Sequence, residues 1–306
     1  MKGKGKNLVT VVLVSAGKKK YLSKCLESLQ KQSYPSLQIV VIDNSLNPQL
    51  AKKISDNFSG IEVYSSSINL FYAAALNKGI ELSRGEFVLC LNDDIVLERN
   101  FVEEAIKGFW LKKNIGMVTG KVLRGDKKIL DSTGLFLSIF RSAKERGYGR
   151  RDNGQFQKEG FVFGACGAAG FYRKKMLDQI KEDGEYFDSN LVIFYEDLDL
   201  AWRANRFGWK GYYLPKAIAY HIRGGSFRPD SGLDKPFARR YLSDRFHAIL
   251  IRNRYLVIAK NESVINLILF FIPILIYDIC SWLYLILFRP GAIKFFLGKS
   301  KFRGKA

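Results

Sequence analysis

The sequence predicts an α/β protein in which a mostly parallel, Rossmann-like sheet is flanked by helices on both faces. Two features of residues 1–100 carry this expectation: short runs that are apolar on both faces, and amphipathic or Ala-rich helical stretches between them. The first strand falls at Thr10–Ser15, inside the β-branched run VTVVLVS. Met1–Lys6 is basic and Leu8–Ala16 apolar, a profile shared with short signal peptides. Lys18–Lys20 follow at once, however, and the downstream alternation needs a strand here. Tyr21–Gln32 then places Leu22, Cys25, Leu26 and Leu29 on one helical face. Leu37–Ile42 is a second strand, closed by Asp43, Asn44 and Ser45. A helix over about 48–58 leads to a short strand at Ile61–Tyr64, an Ala-rich helix spans Phe71–Ser83, and Phe87–Leu91 is another apolar strand. Ligands of such sheets bind at the carboxyl ends of the strands, where Asp43 and the run Asn92, Asp93, Asp94 both lie.

After a helix at Phe101–Trp110, the chain to about Gly160 is rich in Gly and basic residues, Arg141–Arg151 especially. It is expected to be irregular, mobile and solvent-facing. Phe161–Tyr172 is apolar and Gly-studded, and Tyr195–Phe207 has helical periodicity with acids at its start. The C-terminus changes character. Val264–Phe288 is almost continuously apolar, interrupted by Asn266, Pro273 and Asp278, and as a helix is long enough to cross a bilayer. Basic residues precede it (Arg252, Arg254, Lys260) and follow it (Arg289, Lys294, Lys299, Lys301, Arg303, Lys305). Both flanks favour the cytoplasmic side, so a re-entrant or interfacial hairpin bent at Pro273 is expected in preference to a single-span anchor. A soluble apolar helix pair is the plainer alternative. Residues 1–260 are thus read as the globular α/β domain and 261–306 as a segment associated with the cytoplasmic face of the cell membrane.

Composition narrows the classes. The 306 residues are 47% hydrophobic and 25% charged, enough for a packed core. A net charge of +20 favours anionic partners: nucleic acid, an anionic membrane surface, or phosphate-bearing substrates. Cys25, Cys90, Cys166 and Cys280 are scattered without a Cys-x-x-Cys pair, which speaks against a disulfide framework or structural zinc and for small buried apolar residues.

Three segments carry chemistry. In LCLNDDIVL, two adjacent carboxylates after an apolar strand are costly unless a cation pairs with them; a Mg²⁺ or Mn²⁺ ion bridging a diphosphate is one partner, and capping of the next helix is the plainer reading. In IFYEDLDLAWRANRFGW, Glu196, Asp197 and Asp199 crowd a helix start. Asp197 there would stay ionised and could take a proton from an attacking hydroxyl, or these acids could simply cap the helix and pair with Arg203 or Arg206. His221, in AYHIRGGS, is one of two histidines and ends a strand-like stretch; it is either a satisfied structural residue or part of a metal shell.

As an ordered set, these segments resemble the family 2 glycosyltransferases, in particular their rhamnosyltransferase-like branch. The resemblance covers roughly residues 8–260. It runs from VTVVLVS and CLESLQKQSYPSLQIVVIDNS through NLFYAAALNKGIELSRGEFVLCLNDDIVL, FGACGAAGFYRKKML and FDSNLVIFYEDLDLAWRANRFGWKGYYLP to AYHIRGGS and RNRYLVIAKN. It implies a GT-A fold and an inverting, metal-assisted single displacement from a nucleotide-diphosphate sugar. On that resemblance Asp43, Asn92 and Asp93 contact the donor, Asp94 and His221 bind Mn²⁺ or Mg²⁺, and Asp197 is the general base. Gly164, Ala165, Cys166 and Glu196 lie on the acceptor side. Two departures, Ser15-Ala16-Gly17 after the first strand and Ser45-Leu46 after Asp43-Asn44, fall near the base and ribose, so the resemblance names no nucleobase. The apolar tail and basic surface point to a lipid-linked or cell-envelope glycan acceptor and an anionic membrane surface, with no specific nucleic acid as partner. A metal-dependent nucleotidyltransferase and a non-enzymatic basic binding protein are the competing classes; the chain lacks a Gly-x-Gly-type signature for the first and a zinc or aromatic RNA-binding signature for the second.

Overall fold

The computed structural model describes residues 7–17, 19–222 and 242–297. Met1–Lys6, Lys18, the Arg223–Ser226 part of AYHIRGGS, and Lys299, Lys301, Arg303 and Lys305 lie outside the described residues. The N-terminal half alternates as its apolar pattern requires: β1 (Val9–Ser15), α1 (Lys19–Gln30), β2 (Leu37–Asp43), α2 (Leu50–Asn57), β3 (Ile61–Ser65), α3 (Phe71–Glu81) and β4 (Phe87–Asn92). Then come β5 (Ile95–Leu97), α4 (Phe101–Ile106), α5 (Gly108–Leu111), β6 (Ile115–Arg124), β7 (Leu130–Ser132), β8 (Leu135–Leu137) and β9 (Ala143–Glu145). The second half continues with β10 (Gly160–Val162), β11 (Ala169–Arg173), α6 (Lys174–Gln179), α7 (Glu196–Arg206), β12 (Lys210–His221) and α8 (Asp244–Asn261). It ends in α9 (Val264–Leu269), α10 (Phe271–Phe288) and α11 (Pro290–Leu297).

One sheet organises the molecule, in the order β10-β12-β6-β11-β4-β1-β2-β3, with β5 added beside β12 and β7 beside β6. Strands β3, β2, β1 and β4 are parallel, and β1 alternates its side chains between two cores. Val9, Val11 and Leu13 face α1, α2 and α4, whereas Val12 and Val14 face α3 and α7. Burial on both faces is what the continuous apolar run encodes. Beyond β4 the sheet is mixed, because β11 runs antiparallel between β4 and β6. Chain order reverses on the two sides of β1, so the carboxyl ends of β1 and β4 open onto a crevice.

Three expectations are corrected. Residues 115–124 of the stretch after α5 are not an irregular surface segment but β6, a ten-residue strand buried throughout, whose Lys121 is satisfied by Asp152 at 2.8 Å; residues 143–160 are half-buried or exposed, as expected. The polar residues and glycines of β6 hid a strand whose polar groups are paired inside. Arg141 is likewise buried, against Glu262 and the ring of Phe270. The apolar tail does not bend at Pro273. The helix breaks at Phe270, and Pro273 sits in the first turn of α10, where a missing N–H leaves no hydrogen bond unmade. Finally, Cys25, Cys90 and Cys166 are buried as expected, but Cys280 on α10 is exposed.

Helix α8 links the domain to the tail. Its Arg254 pairs with Asp278 of α10 at 3.1 Å, and its Ile251 packs with Leu285 and Ala292. At its other end, Asn261 donates to the fully buried Asp199 of α7 at 2.8 Å.

Candidate functional site

A cavity of about 520 Å³ opens at the carboxyl ends of β1 and β4 and is closed by two facing walls and by α8. The first wall begins where β4 ends. The Ile222 N–H donates to the Asp94 carbonyl at 2.9 Å, and β12 pairs antiparallel with β5, which sets His221 opposite Ile95. The side chains therefore meet: His221 Nε2 lies 3.2 Å from Asp94 Oδ1, and its Nδ1 lies 2.7 Å from Asp131 Oδ2. Burial alone would lower the imidazolium pKa, but the carboxylates of Asp94 and Asp131 outweigh it and raise His221 from 6.5 to about 9. Next along the wall, Ser15 donates to Asp93 at 2.8 Å while accepting the Gly17 N–H at 3.0 Å, and the Tyr72 hydroxyl donates to Asn92 Oδ1 at 2.5 Å.

The second wall is built on the start of α7. Asp197 Oδ1 accepts the Leu198 N–H at 2.8 Å and Oδ2 accepts the Gly167 N–H at 3.2 Å. Residue 167 must be glycine for this approach, because a Cβ there would lie 2.8 Å from Asp197 Oδ2. Burial raises the Asp197 carboxyl above its ordinary range, against the two N–H donors and the helix start that favour its charge. Burial, and then the charge of Asp197, raise Glu196 as well, and Glu196 Oε2 is buried with no hydrogen-bond partner among the described residues. Glu145, partly exposed as a residue, accepts a hydrogen bond from the buried Ser132. Burial and the charge of Asp197 move its pKa from 4.5 to about 8.

The loop before α7 is strained. Val192, Phe194 and Tyr195 have φ of 64°, 69° and 71°, positive values that are a genuine outlier for a β-branched residue such as Val192. Two anchors hold it. The fully buried Asn253 of α8 donates its Nδ2 to the carbonyls of Leu191 (2.6 Å), Ile193 (2.9 Å) and Phe194 (2.9 Å). The Val192 carbonyl accepts the Tyr72 N–H at 3.1 Å. Val192, Ile193 and Phe194, with Arg245, Phe246 and Ile249 of α8, complete the cavity.

Of the residues picked out by sequence, Asn92, Asp93, Asp94, Cys166, Glu196, Asp197 and His221 line this one cavity. Asp43, Gly164 and Ala165 lie behind it. The Asp43 carboxylate is engaged by the Ser45 N–H (3.0 Å) and hydroxyl (2.6 Å) and by Ser65 (3.3 Å), and the half-buried Asn44 lines the cavity instead. Gly164 is bridged to Leu135 by backbone hydrogen bonds and packed on Ala201, and Ala165 is buried in the core beside it. Asp131, Glu145, Tyr72 and Asn253 were missed. Among the described residues no group of three or more His, Cys, Asp or Glu side chains forms a metal cage. Asp94 and His221 do offer one oxygen and one nitrogen at the cavity wall, a donor set that suits Mn²⁺ or Mg²⁺ when phosphate oxygens and water complete the shell.

Residues 10–181, more than half of the chain, match the family model for glycosyl transferase family 2. The chain belongs to that family. It is 24% identical over 203 residues to a poly-beta-1,6-N-acetyl-D-glucosamine synthase of Staphylococcus epidermidis, covering 64% of this chain and 45% of the relative. It is 25% identical over 228 residues to rhamnosyltransferase WbbL of Escherichia coli, covering 70% of this chain and 83% of that one. The chain thus spans about half the length of the synthase relatives it matches. A mannosyltransferase from Pyrobaculum calidifontis, solved with GDP-Man and Mn²⁺, superposes with a TM-score of 0.59 at 16% identity, covering 94% of this chain and 72% of that one. The fold of this family member is GT-A.

Proposed function

We propose that this chain is an inverting glycosyltransferase. It moves a sugar from a nucleotide-diphosphate donor, such as dTDP-rhamnose or a UDP-sugar, to a hydroxyl of a lipid-linked or cell-envelope glycan acceptor. One observation carries the reading: a carboxylate–imidazole pair, Asp94 and His221, faces the carboxylate of Asp197 across one cavity. Bound between Asp94 and His221, Mn²⁺ or Mg²⁺ would supply charge stabilisation to the departing diphosphate. Asn92 and Asp93 face the ribose and diphosphate; Asn44 and Asn69 line the base end, with Asp43 bracing the turn behind them. Asp197 removes the proton from the acceptor hydroxyl as that oxygen attacks the anomeric carbon. The Gly167 and Leu198 N–H groups keep its carboxylate charged and aimed, and its raised pKa makes it a stronger base than a solvated Asp. Glu196, held neutral beside it, and the segment from Cys166 to Ala168 form the acceptor side. No covalent sugar intermediate is needed, so configuration inverts.

Residues 1–260 act as the catalytic domain and 261–306 as its attachment to the cytoplasmic face of the cell membrane. Supporting this, α10 is 18 residues long with mean hydropathy 2.0, and among the described residues its outward side chains, such as Ile272 (60% exposed) and Phe288 (67%), are largely uncovered. The same α8 that bears on α10 lends Phe246 and Ile249 to the cavity, an apolar approach for a lipid-borne acceptor. The test is transfer of labelled sugar from UDP-N-acetylglucosamine, GDP-mannose or dTDP-rhamnose into organic-extractable material by the full chain in lipid. The expected result is label from one donor, lost in Asp197→Asn. Full transfer by Asp197→Asn would remove Asp197 as the base.

A further inference from the structure

We infer that Asp131 is a positioning residue: it holds the Nδ1–H of His221 and so presents Nε2 as the nitrogen that, with Asp94, receives a divalent cation. This rests on the metal role proposed for Asp94 and His221. Asp131 is not placed by local sequence. In the β6–β7 ladder Val122 pairs with Ser132 but Leu123 pairs with Leu130, so Asp131 is the extra residue at a register shift. Such irregularities turn a side chain out of its strand's alternation, often beside active sites. Here the carboxylate is buried, which is costly without a partner. It meets His221 Nδ1 at 2.7 Å through one oxygen, and its other oxygen lies 3.8 Å from Arg124 Nε. Arg124 is itself buried and stands opposite His221 in the β6–β12 ladder, so three strands converge on one imidazole.

The chemistry follows from the two tautomers. A neutral imidazole with its hydrogen on Nδ1 offers a lone pair at Nε2, and the other tautomer offers none there. A carboxylate on Nδ1 selects the first, fixes the ring and makes Nε2 a better donor. Asp131→Asn keeps the shape but reverses the preference. The amide oxygen turns to Arg124, leaving the NH₂ group against Nδ1, and the ring hydrogen then sits on Nε2.

The test titrates Mn²⁺ alone into the full chain in detergent and reads free Mn²⁺ by electron paramagnetic resonance. Wild type, Asp131→Asn, Asp131→Ala and His221→Ala are compared. The expected result is binding by wild type, loss in His221→Ala, and affinity about 10- to 100-fold weaker in Asp131→Asn, which binds no better than Asp131→Ala. A role in packing alone gives the opposite order, with the isosteric Asn close to wild type and Ala worst. If Asp131→Ala does not fold, wild type against Asp131→Asn decides: affinity within about threefold overturns the inference. If wild type and His221→Ala bind Mn²⁺ alike, or neither binds, the metal role itself fails, and the assignment of Asp131 with it.

Discussion

The two walls of the cavity carry the same kind of residue in opposite electrostatic settings. On the β4 side, Asp94 is paired with His221, which itself leans on Asp131. On the α7 side, Glu196, Asp197 and Glu145 crowd together, and what meets Asp197 is backbone N–H. Carboxylates matched with a cation stay charged and can exchange that cation for another; carboxyls buried beside one another rise in pKa, so that one keeps a proton while its ionised neighbour becomes a stronger base. One wall is thus suited to a metal and a diphosphate, the other to accepting a proton.

The sharpest way to break this division is to neutralise one wall and read both. Asp197→Asn is expected to lower kcat by about 10²- to 10⁴-fold while nucleotide and Mn²⁺ binding stay as in wild type. Loss of nucleotide binding in that variant would join the walls into one unit. Next in size is the loop that presents Asp197. Asn253→Ala strips the amide donor from three loop carbonyls, one buried and two partly buried, and is expected to cost about 2–4 kcal/mol of stability, read as a lower midpoint in urea. An unchanged midpoint would mean that the strained loop holds itself. Smaller still, Gly167→Ala pushes on Asp197 Oδ2 and is expected to reduce turnover about tenfold without changing donor affinity.

The least of these effects is a slope. Glu145 has a folded pKa of about 8 against an ordinary 4.5, so the folded state binds the extra proton between those values. Its contribution to stability is therefore complete below about pH 4.5 and is lost as pH rises through about 8. His221, raised from 6.5 to about 9, acts in the same direction at higher pH. Glu145→Gln, neutral at every pH, is expected to flatten the decline of the thermal midpoint between pH 5 and 8; an unaltered slope in that variant would place the Glu145 carboxyl in solvent.

The same contrast explains what could be read from the sequence. Strands β1 to β4 and their helices were legible because each is a local period, apolar on both faces or on one helical stripe. Asp93, Asp94, Glu196, Asp197 and His221 were legible because acids at a strand end, acids at a helix start and an isolated histidine stand out locally. Strand β6 was not, since Thr119, Lys121 and Arg124 are polar residues whose burial depends on distant partners such as Asp152. Asp131 and Asn253 were not, because the first acts on a residue 90 positions away and the second on carbonyls about 60 positions back. Asp43 stood out at a strand end in the same way, and the fold adds that Ser45 and Ser65 hydrogen-bond its carboxylate.

The most direct test of the central claim is the thermal midpoint of the full chain in detergent with Mn²⁺ and UDP, GDP or dTDP. A ligand that binds only the folded state must raise it. The expected result is a rise with one nucleotide that requires Mn²⁺, persists in Asp197→Asn and disappears in Asp94→Asn. No rise with any nucleotide in the presence of Mn²⁺, or an equal rise in Asp94→Asn, would contradict it.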